Sequence, residues 1–437
     1  MSVFPINLNI PPQFDGTLPE AVDVVVIGGG IIGVMTAWEL ARRGRRVLVC
    51  EKGRVAGEQS SRNWGWVRQQ GRDYAELPVM MESLQIWKAL PEKLRARIGF
   101  RQNGITYLAR NAAKLREYES WLEGARAYGV DTRMLSRSET EAMLPNAAGW
   151  VGGMTTPSDG MAEPFVTVPA LAQAATEDGV IIRENCAVRA LEIAGERLQG
   201  VITEKGRVNC DRVVVAAGAW SSLFLAAHGI RIPQLSVLSS VMRTEPMAEF
   251  SNAAAGDGRF AFRRRADGGY TITPWEAHDF FIGPDAFRNF FSYLPTLKEE
   301  FGSTRFRLAA PRTFPDAWQT ARHWRSDETT PFEECRILDP KPNRKELERV
   351  LAFFAEAFPG AGRPGIRQSW GGMIDTMPDV VPIVDKAAIA GLTIATGMSG
   401  HGFGIGPGMA TVVADLVEEK RPKHEMRSFT LTRFRKR

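Results

Sequence analysis

Hydrophobic positions along the chain repeat with two periods, and the switches from one to the other mark the elements. Short β-branched runs, Val24–Ile27 and Val47–Cys50, have the length of buried strands, and apolar residues recur at helical spacing from Ile31 onward. They predict a strand over 22–27, a helix over 31–43 and a strand over 47–51. A second stretch of this kind covers 164–225. It has a helix to about 178, a strand at 180–183, a hairpin around Glu196 and a strand at 213–216. A third has a strand at 392–395, a glycine-rich turn and a helix over 408–419. Between them, 73–141 reads as mostly helical, with apolar positions at Leu77, Met80, Met81, Leu84 and Trp87. The segment 243–318 is strand-like and aromatic, with turn signals at 266–269 and 283–284. Strands that alternate with helices in three separated stretches imply an α/β chain with two interleaved domains.

Composition narrows this reading. The 437 residues are 44% hydrophobic and 24% charged, the balance of a soluble globular protein too long for one core. A net charge of +5 is modest and gives no reason to expect nucleic acid as a partner. Basic residues do gather at the C-terminus, where Lys420, Arg421, Lys423, Arg427, Arg433, Arg435, Lys436 and Arg437 form a basic tail over 421–437. A solvated end is expected there, with peripheral contact to an anionic membrane as the alternative. The four cysteines lie far apart, with no metal-ligand spacing, so no metal site or disulfide framework is expected and a cytoplasmic setting fits best. Residues 1–20 form an N-terminal extension rich in proline, without the basic and apolar regions of a signal peptide. The apolar run 24–38 is shorter than a membrane span.

Gly28-Gly29-Gly30-Ile31-Ile32-Gly33 directly follows the first strand. Gly28 permits a tight turn, Gly30 lets the backbone approach a pyrophosphate, and Gly33 lets the helix pack closely on the strand. Amide groups at Gly30, Ile31 and Ile32, aided by the helix dipole, face the phosphate charge. The second strand ends at Glu51, with Lys52 beside it; a carboxylate there accepts hydrogen bonds from both ribose hydroxyls. Strand, glycines, helix, strand and terminal acid in register point to a Rossmann-like site for an adenine dinucleotide.

Further motifs decide which dinucleotide. Ser60-Ser61-Arg62-Asn63-Trp64-Gly65-Trp66 follows the second strand, and Ala216-Ala217-Gly218-Ala219-Trp220-Ser221 follows a later one. Trp370-Gly371-Gly372-Met373, Pro378-Asp379 and Gly397-Met398-Ser399-Gly400-His401-Gly402-Phe403-Gly404 complete the set. In this order, over 23–419, the chain resembles the superfamily of FAD enzymes that contains D-amino-acid oxidase, glycine oxidase and sarcosine oxidase, with the D-amino-acid dehydrogenase branch foremost. The resemblance implies a discontinuous FAD-binding domain (21–75, 155–235 and 365–420). An α+β substrate domain on a mixed or antiparallel sheet (76–154 and 236–364) is interleaved with it. It also implies that Ser60, Ser61, Arg62, Asn63, Trp64 and Gly65 offer donors to pyrophosphate and flavin, and that Val188 meets the adenine through its main chain. Ala217, Gly218 and Trp220, then Gly372 and Met373, and Gly397, Ser399, Gly400, His401 and Gly402 are expected along the cofactor.

Members with covalent flavin carry a cysteine at the position of Gly372, so FAD is expected to be non-covalent. Sarcosine oxidases have lysines aligned with Gly404 and, approximately, with Phe281. Both losses leave room for a dehydrogenase, and the electron acceptor stays open among dioxygen, a quinone and a carrier protein. His401 is read first as an orienting hydrogen-bond donor and second as a base. Among Arg62, Arg68 and Arg72, Arg68 is the expected clamp for a substrate carboxylate, since a guanidinium matches it bidentately. Trp66, Trp275 and Trp370, with Trp64, are expected to wall the substrate pocket. The expected reaction is oxidation of the carbon–nitrogen bond of a small amine or amino acid. Two alternatives remain: an N-substituted substrate such as a polyamine derivative, opine or N-methyl amino acid, or a flavin-bearing electron-transfer subunit of a larger complex.

Overall fold

The computed structural model describes residues 3–300 and 302–434. Among them, a six-stranded sheet has the order Ile383–Lys386, Leu392–Thr396, Arg212–Val215, Val24–Ile27, Val47–Cys50, Ile181–Arg183. Only the pairing of Ile383–Lys386 with Leu392–Thr396 is antiparallel. Both faces are buried, and the alternation of the strands divides their side chains cleanly. Val24, Val26, Val47, Val49 and Val214 meet one hydrophobic core; Val25, Ile27, Leu48, Cys50, Val213 and Val215 meet another. Helices Ile31–Arg42, Pro164–Glu177 and Gly402–Val417 cover the first face. A three-stranded antiparallel sheet, Val188–Ala194, Arg197–Thr203 and Gly206–Asn209, packs on the second.

A ten-stranded mixed sheet forms the other half of the molecule. Its long pair, Leu235–Thr244 and Ile366–Thr376, runs antiparallel from Leu235↔Thr376 to Thr244↔Ile366. Ile105–Ala109 and Arg133–Leu135 join this sheet, so the stretch read as mostly helical also supplies strands. The aromatic stretch after 243 departs from expectation too: after four strands it turns into helices Pro284–Arg288 and Phe290–Glu300. Pro284, part of an expected turn, is accommodated at the start of the first of these helices, and Pro295 lies inside the second.

The last helix begins at Gly402, six residues before the expected start. Gly404, Gly406, Pro407 and Gly408 look like a turn, but tertiary packing overrides propensity. A β-carbon at Gly406 would stand 2.6 Å from Ile31 Cγ1, and one at Gly408 would stand 2.3 Å from the Val79 carbonyl oxygen. The missing side chains let this helix lie against helices Ile31–Arg42 and Leu77–Ala89.

The first and last of the described segments are docked. Phe4 and Phe14 are buried, and the Glu184 carboxylate accepts from the amides of Gln13 and Phe14. The tail is not simply solvated: Phe429 is fully buried and Arg433 grips Asp379 with two nitrogens, at 2.8 and 3.1 Å. Arg435, Lys436 and Arg437 lie outside the described residues. No helix among the described residues is long and apolar enough to cross a membrane.

Candidate active site

A cavity of about 410 Å³ opens between the two large sheets, within the range of small-molecule sites. Gly28, Gly30, Ile31, Ile32, Glu51, Lys52 and Val188 line one part of it. Gly28 has φ +111°, and a β-carbon there would lie 2.4 Å from the Ala216 carbonyl oxygen. Gly33 does not reach the cavity; a β-carbon on it would strike the Gly28 carbonyl oxygen at 2.0 Å, so its bareness sets how closely helix and turn pack. The helix that starts at Ile31 has no side-chain cap at Gly30, while Ser60 Oγ accepts from the Ile31 amide at 2.9 Å. Glu51 accepts from the Gly29 and Gly53 amides, both at 2.7 Å. Burial nevertheless pushes its carboxyl up to about 7 against the pull of Lys52 and these amides. Lys52 itself donates to Glu58 at 2.7 Å.

Ser60, Arg62, Asn63, Trp64, Ala217, Gly218 and Trp220 also face the cavity. Ser61 does not: its hydroxyl turns inward and donates to the Ala56 carbonyl at 2.6 Å. Gly65 backs onto Ala162 and Gly397 onto Met377, both away from the cavity. A residue string in a loop does not reveal which of its members face inward. Gly372 and Met373 line the wall, as do Ser399, Gly400, His401 and Gly402.

At the far part, Trp64, Trp66, Tyr107 and Trp275 form one aromatic cluster, with ring centroids 4.8–6.5 Å apart. Trp370 is not in it. Its indole donates to the Arg62 carbonyl at 3.0 Å and packs on Phe4 and Phe165, so Arg62 stands between it and the cavity. Phe281 also lies elsewhere, against Phe314, whereas His278 of the same strand reaches the cavity wall. The strand's alternation puts these two on opposite faces.

The three arginines separate by partner. Arg62 is buried and paired with Asp339 at 2.6 Å and the Gly371 carbonyl at 2.9 Å. Arg72 is buried against Glu76 at 3.2 Å. Arg68 lines the cavity, half-buried, donates to the Gln70 carbonyl and makes no ion pair with a carboxylate among the described residues.

Two acids escaped the sequence reading. Asp375 lines the cavity and accepts from the Gly397 amide at 2.8 Å and Gln234 at 3.1 Å; burial pushes its carboxyl up. Glu76 lies behind the wall, with Oε2 3.0 Å from His401 Nδ1. Burial alone would raise Glu76, but His401 and Arg72 hold it down to about 2. Burial lowers His401, against Glu76. An ionised carboxylate only accepts, so Nδ1 carries the proton and a neutral ring offers Nε2 as an acceptor, not as the expected donor.

The cavity suits FAD in its donor set: bare backbone at Gly28 and Gly30, a helix start whose cap residue carries no side chain and a buried acid at the strand end. Comparison with known proteins agrees. Residues 23–416 match the DAO family, described as FAD dependent oxidoreductase. The sarcosine oxidase subunit beta of an Arthrobacter species is 25% identical over 97% of this chain and 94% of its own. Mouse mitochondrial sarcosine dehydrogenase is 28% identical over 61% of this chain, which spans only 31% of that relative's length. Among solved structures, an L-amino acid deaminase from Proteus myxofaciens in complex with anthranilate superimposes with a TM-score of 0.92. It is 30% identical, and the match covers 98% of this chain and 96% of that one. On fold, motif order and match alike, the chain belongs to the DAO family of FAD-dependent oxidoreductases.

Proposed function

We propose that this protein oxidises the carbon–nitrogen bond of an amino acid or amine, using non-covalently bound FAD. The observation that carries the reading is the joining, in one cavity, of a dinucleotide-type turn to an aromatic chamber in which Arg68 makes no ion pair with a carboxylate among the described residues. FAD bound there would take up the hydride from the carbon that bears nitrogen. Glu51 would accept from the ribose hydroxyls, and the amides at Ile32 and Gly30 would face the pyrophosphate. Arg68 would hold the substrate carboxylate, and Trp64, Trp66 and Trp275 would exclude water from the reacting carbon. The imine so formed hydrolyses to a carbonyl product and an amine or ammonia. The anthranilate of the Proteus structure carries an amino group and a carboxylate on one aromatic frame, the pairing this chamber suits.

Anaerobic titration of the yellow holoprotein with a panel of amino acids and amines tests the reading. Loss of flavin absorbance with a carboxylated amine is expected. Flavin that dithionite reduces but no member of the panel bleaches would overturn it. A second reading, a flavin-bearing subunit of a larger assembly, draws on the similarity to a sarcosine oxidase subunit beta. Catalysis by the purified chain alone would argue against it.

A further inference from the structure

At the cavity wall, with Glu76 behind it, lies a trio of Glu76, Arg72 and His401 that the proposed reaction does not yet use. Glu76 stands at the N-terminal boundary of helix Leu77–Ala89, and His401 holds the same place before helix Gly402–Val417. Side-chain exposure is 1% for both Glu76 and Arg72. Arg72 Nη1 meets Glu76 Oε2 at 3.2 Å, Nη2 donates to the His401 carbonyl at 3.1 Å, and Nε donates to the Arg68 carbonyl at 2.8 Å. Arg72 thus ties together the backbones that carry the histidine and the clamp. Among the described residues Glu76 Oε1 is buried without a partner, and the carboxylate is directed at two groups, Arg72 and His401 Nδ1. His401 Nε2 has no hydrogen-bond partner among the described residues, and the ring lines the cavity.

We infer that Glu76, held by Arg72, is a positioning residue that keeps the His401 proton on Nδ1 and presents Nε2 to the ammonium group of the bound substrate. The inference rests on the amine-oxidation reading above. An amine gives up hydride from the adjacent carbon only when its nitrogen lone pair is free, whereas amino acids arrive as ammonium ions at neutral pH. In the step assigned to His401, one N–H bond of the ammonium breaks and an Nε2–H bond forms. The nitrogen keeps its electron pair, and the positive charge moves to the imidazole. The charged groups around the ring are Glu76, Arg72 and Arg68, with the Tyr107 hydroxyl beside the two arginines. Without Glu76 the ring would face two guanidinium groups alone, and a third positive charge there would be strongly disfavoured. The carboxylate makes the imidazolium tolerable for the life of the step, as an orienting acid does for other histidine bases.

Glu76→Gln keeps the shape of the side chain and removes its charge. With a saturating substrate that reduces the wild-type flavin, the variant is expected to reduce it about tenfold or more slowly near pH 7. The deficit should close by about pH 10, where the amine is neutral without help. In a His401→Gln background Glu76→Gln should add nothing. A deficit equal at all pH values, or unchanged kinetics, would overturn the assignment. Should Glu76→Gln fail to fold, His401→Gln, which leaves the Glu76–Arg72 pair intact, must show the same deficit closing at high pH. A readout independent of turnover is ¹⁵N NMR of the five histidines in the holoprotein. It should show His401 protonated on Nδ1 and bare on Nε2 in the wild type, and the opposite tautomer would sink the proposal. If no amine reduces the wild-type flavin, the functional reading falls, while the NMR result still decides the tautomer.

Discussion

Replacing Glu51 by glutamine removes a charge that the apoprotein holds at a cost. Each carboxylate oxygen takes one amide hydrogen bond, yet burial lifts the group from an ordinary 4.5 to about 7. The folded chain therefore prefers the protonated acid. The stability this confers is complete below about pH 4.5 and is lost as the pH rises through 7. Such a difference is worth about 3 kcal/mol in total, most of it falling between pH 5 and 8. One side of the carboxyl opens on the cavity, and solvent there reduces the expectation to about 1–2 kcal/mol. Glutamine does not titrate. In urea denaturation of the two apoproteins, the wild type should lose about 1–2 kcal/mol relative to Glu51→Gln between pH 5 and 8. Fluorescence titration with FAD should show the converse, an affinity that rises with pH in the wild type and stays flat in the variant, because only the carboxylate accepts from both ribose hydroxyls. Parallel stability curves across this window would refute the reasoning and place the ionisation elsewhere.

Three further outcomes follow from the geometry. Arg68→Lys keeps the charge but loses the fork, so single-turnover flavin reduction by a carboxylated substrate should slow while FAD stays bound, with full truncation costing about 2–4 kcal/mol. A variant that instead loses FAD would put Arg68 on the phosphates. Gly408→Ala places a carbon 2.3 Å from the Val79 carbonyl oxygen and should lower stability by about 1–3 kcal/mol, seen as a drop in Tm. An unchanged Tm would show that the two helices can part freely. Acid precipitation should release intact FAD into the supernatant, since glycine stands at position 372; colour retained in the pellet would indicate a covalent bond.

The nucleotide half of the fold is legible in the sequence because its signals are local. Four-residue β-branched strands, a glycine turn and a helix follow one another directly, and their alternation sorts Val24 and Val26 from Val25 and Ile27. The other half is legible only in outline, since its sheet is assembled from strands as far apart as Ile105–Ala109 and Ile366–Thr376. Glycine-rich loops announce a site without saying which side of the loop faces it, which is why Ser61, Gly65 and Gly397 are misplaced by motif alone. Trp370 fails for a related reason: its neighbours in sequence, Gly372 and Met373, line the cavity, but the bulk of Arg62 covers it. Glu76 gives no signal at all. An acid at a helix start is commonplace, and only the closed fold brings it to a histidine 325 positions away.

The place of Leu392–Thr396 in its sheet bears on how the protein is made. This strand lies between Ile383–Lys386 and Arg212–Val215, not at an edge. Until residues 392–396 have left the ribosome, Arg212–Val215 presents a bare hydrogen-bonding edge beside an unfinished apolar face. Such an edge invites pairing with other nascent chains. His401 and the start of the last helix follow the strand within a few residues, so the cavity wall and the missing strand arrive together. Capture of the flavin therefore waits on the synthesis of Leu392–Thr396 and the helix that follows it. Cells starved of it should accumulate full-length apoprotein, and premature stops ahead of residue 392 should leave aggregates.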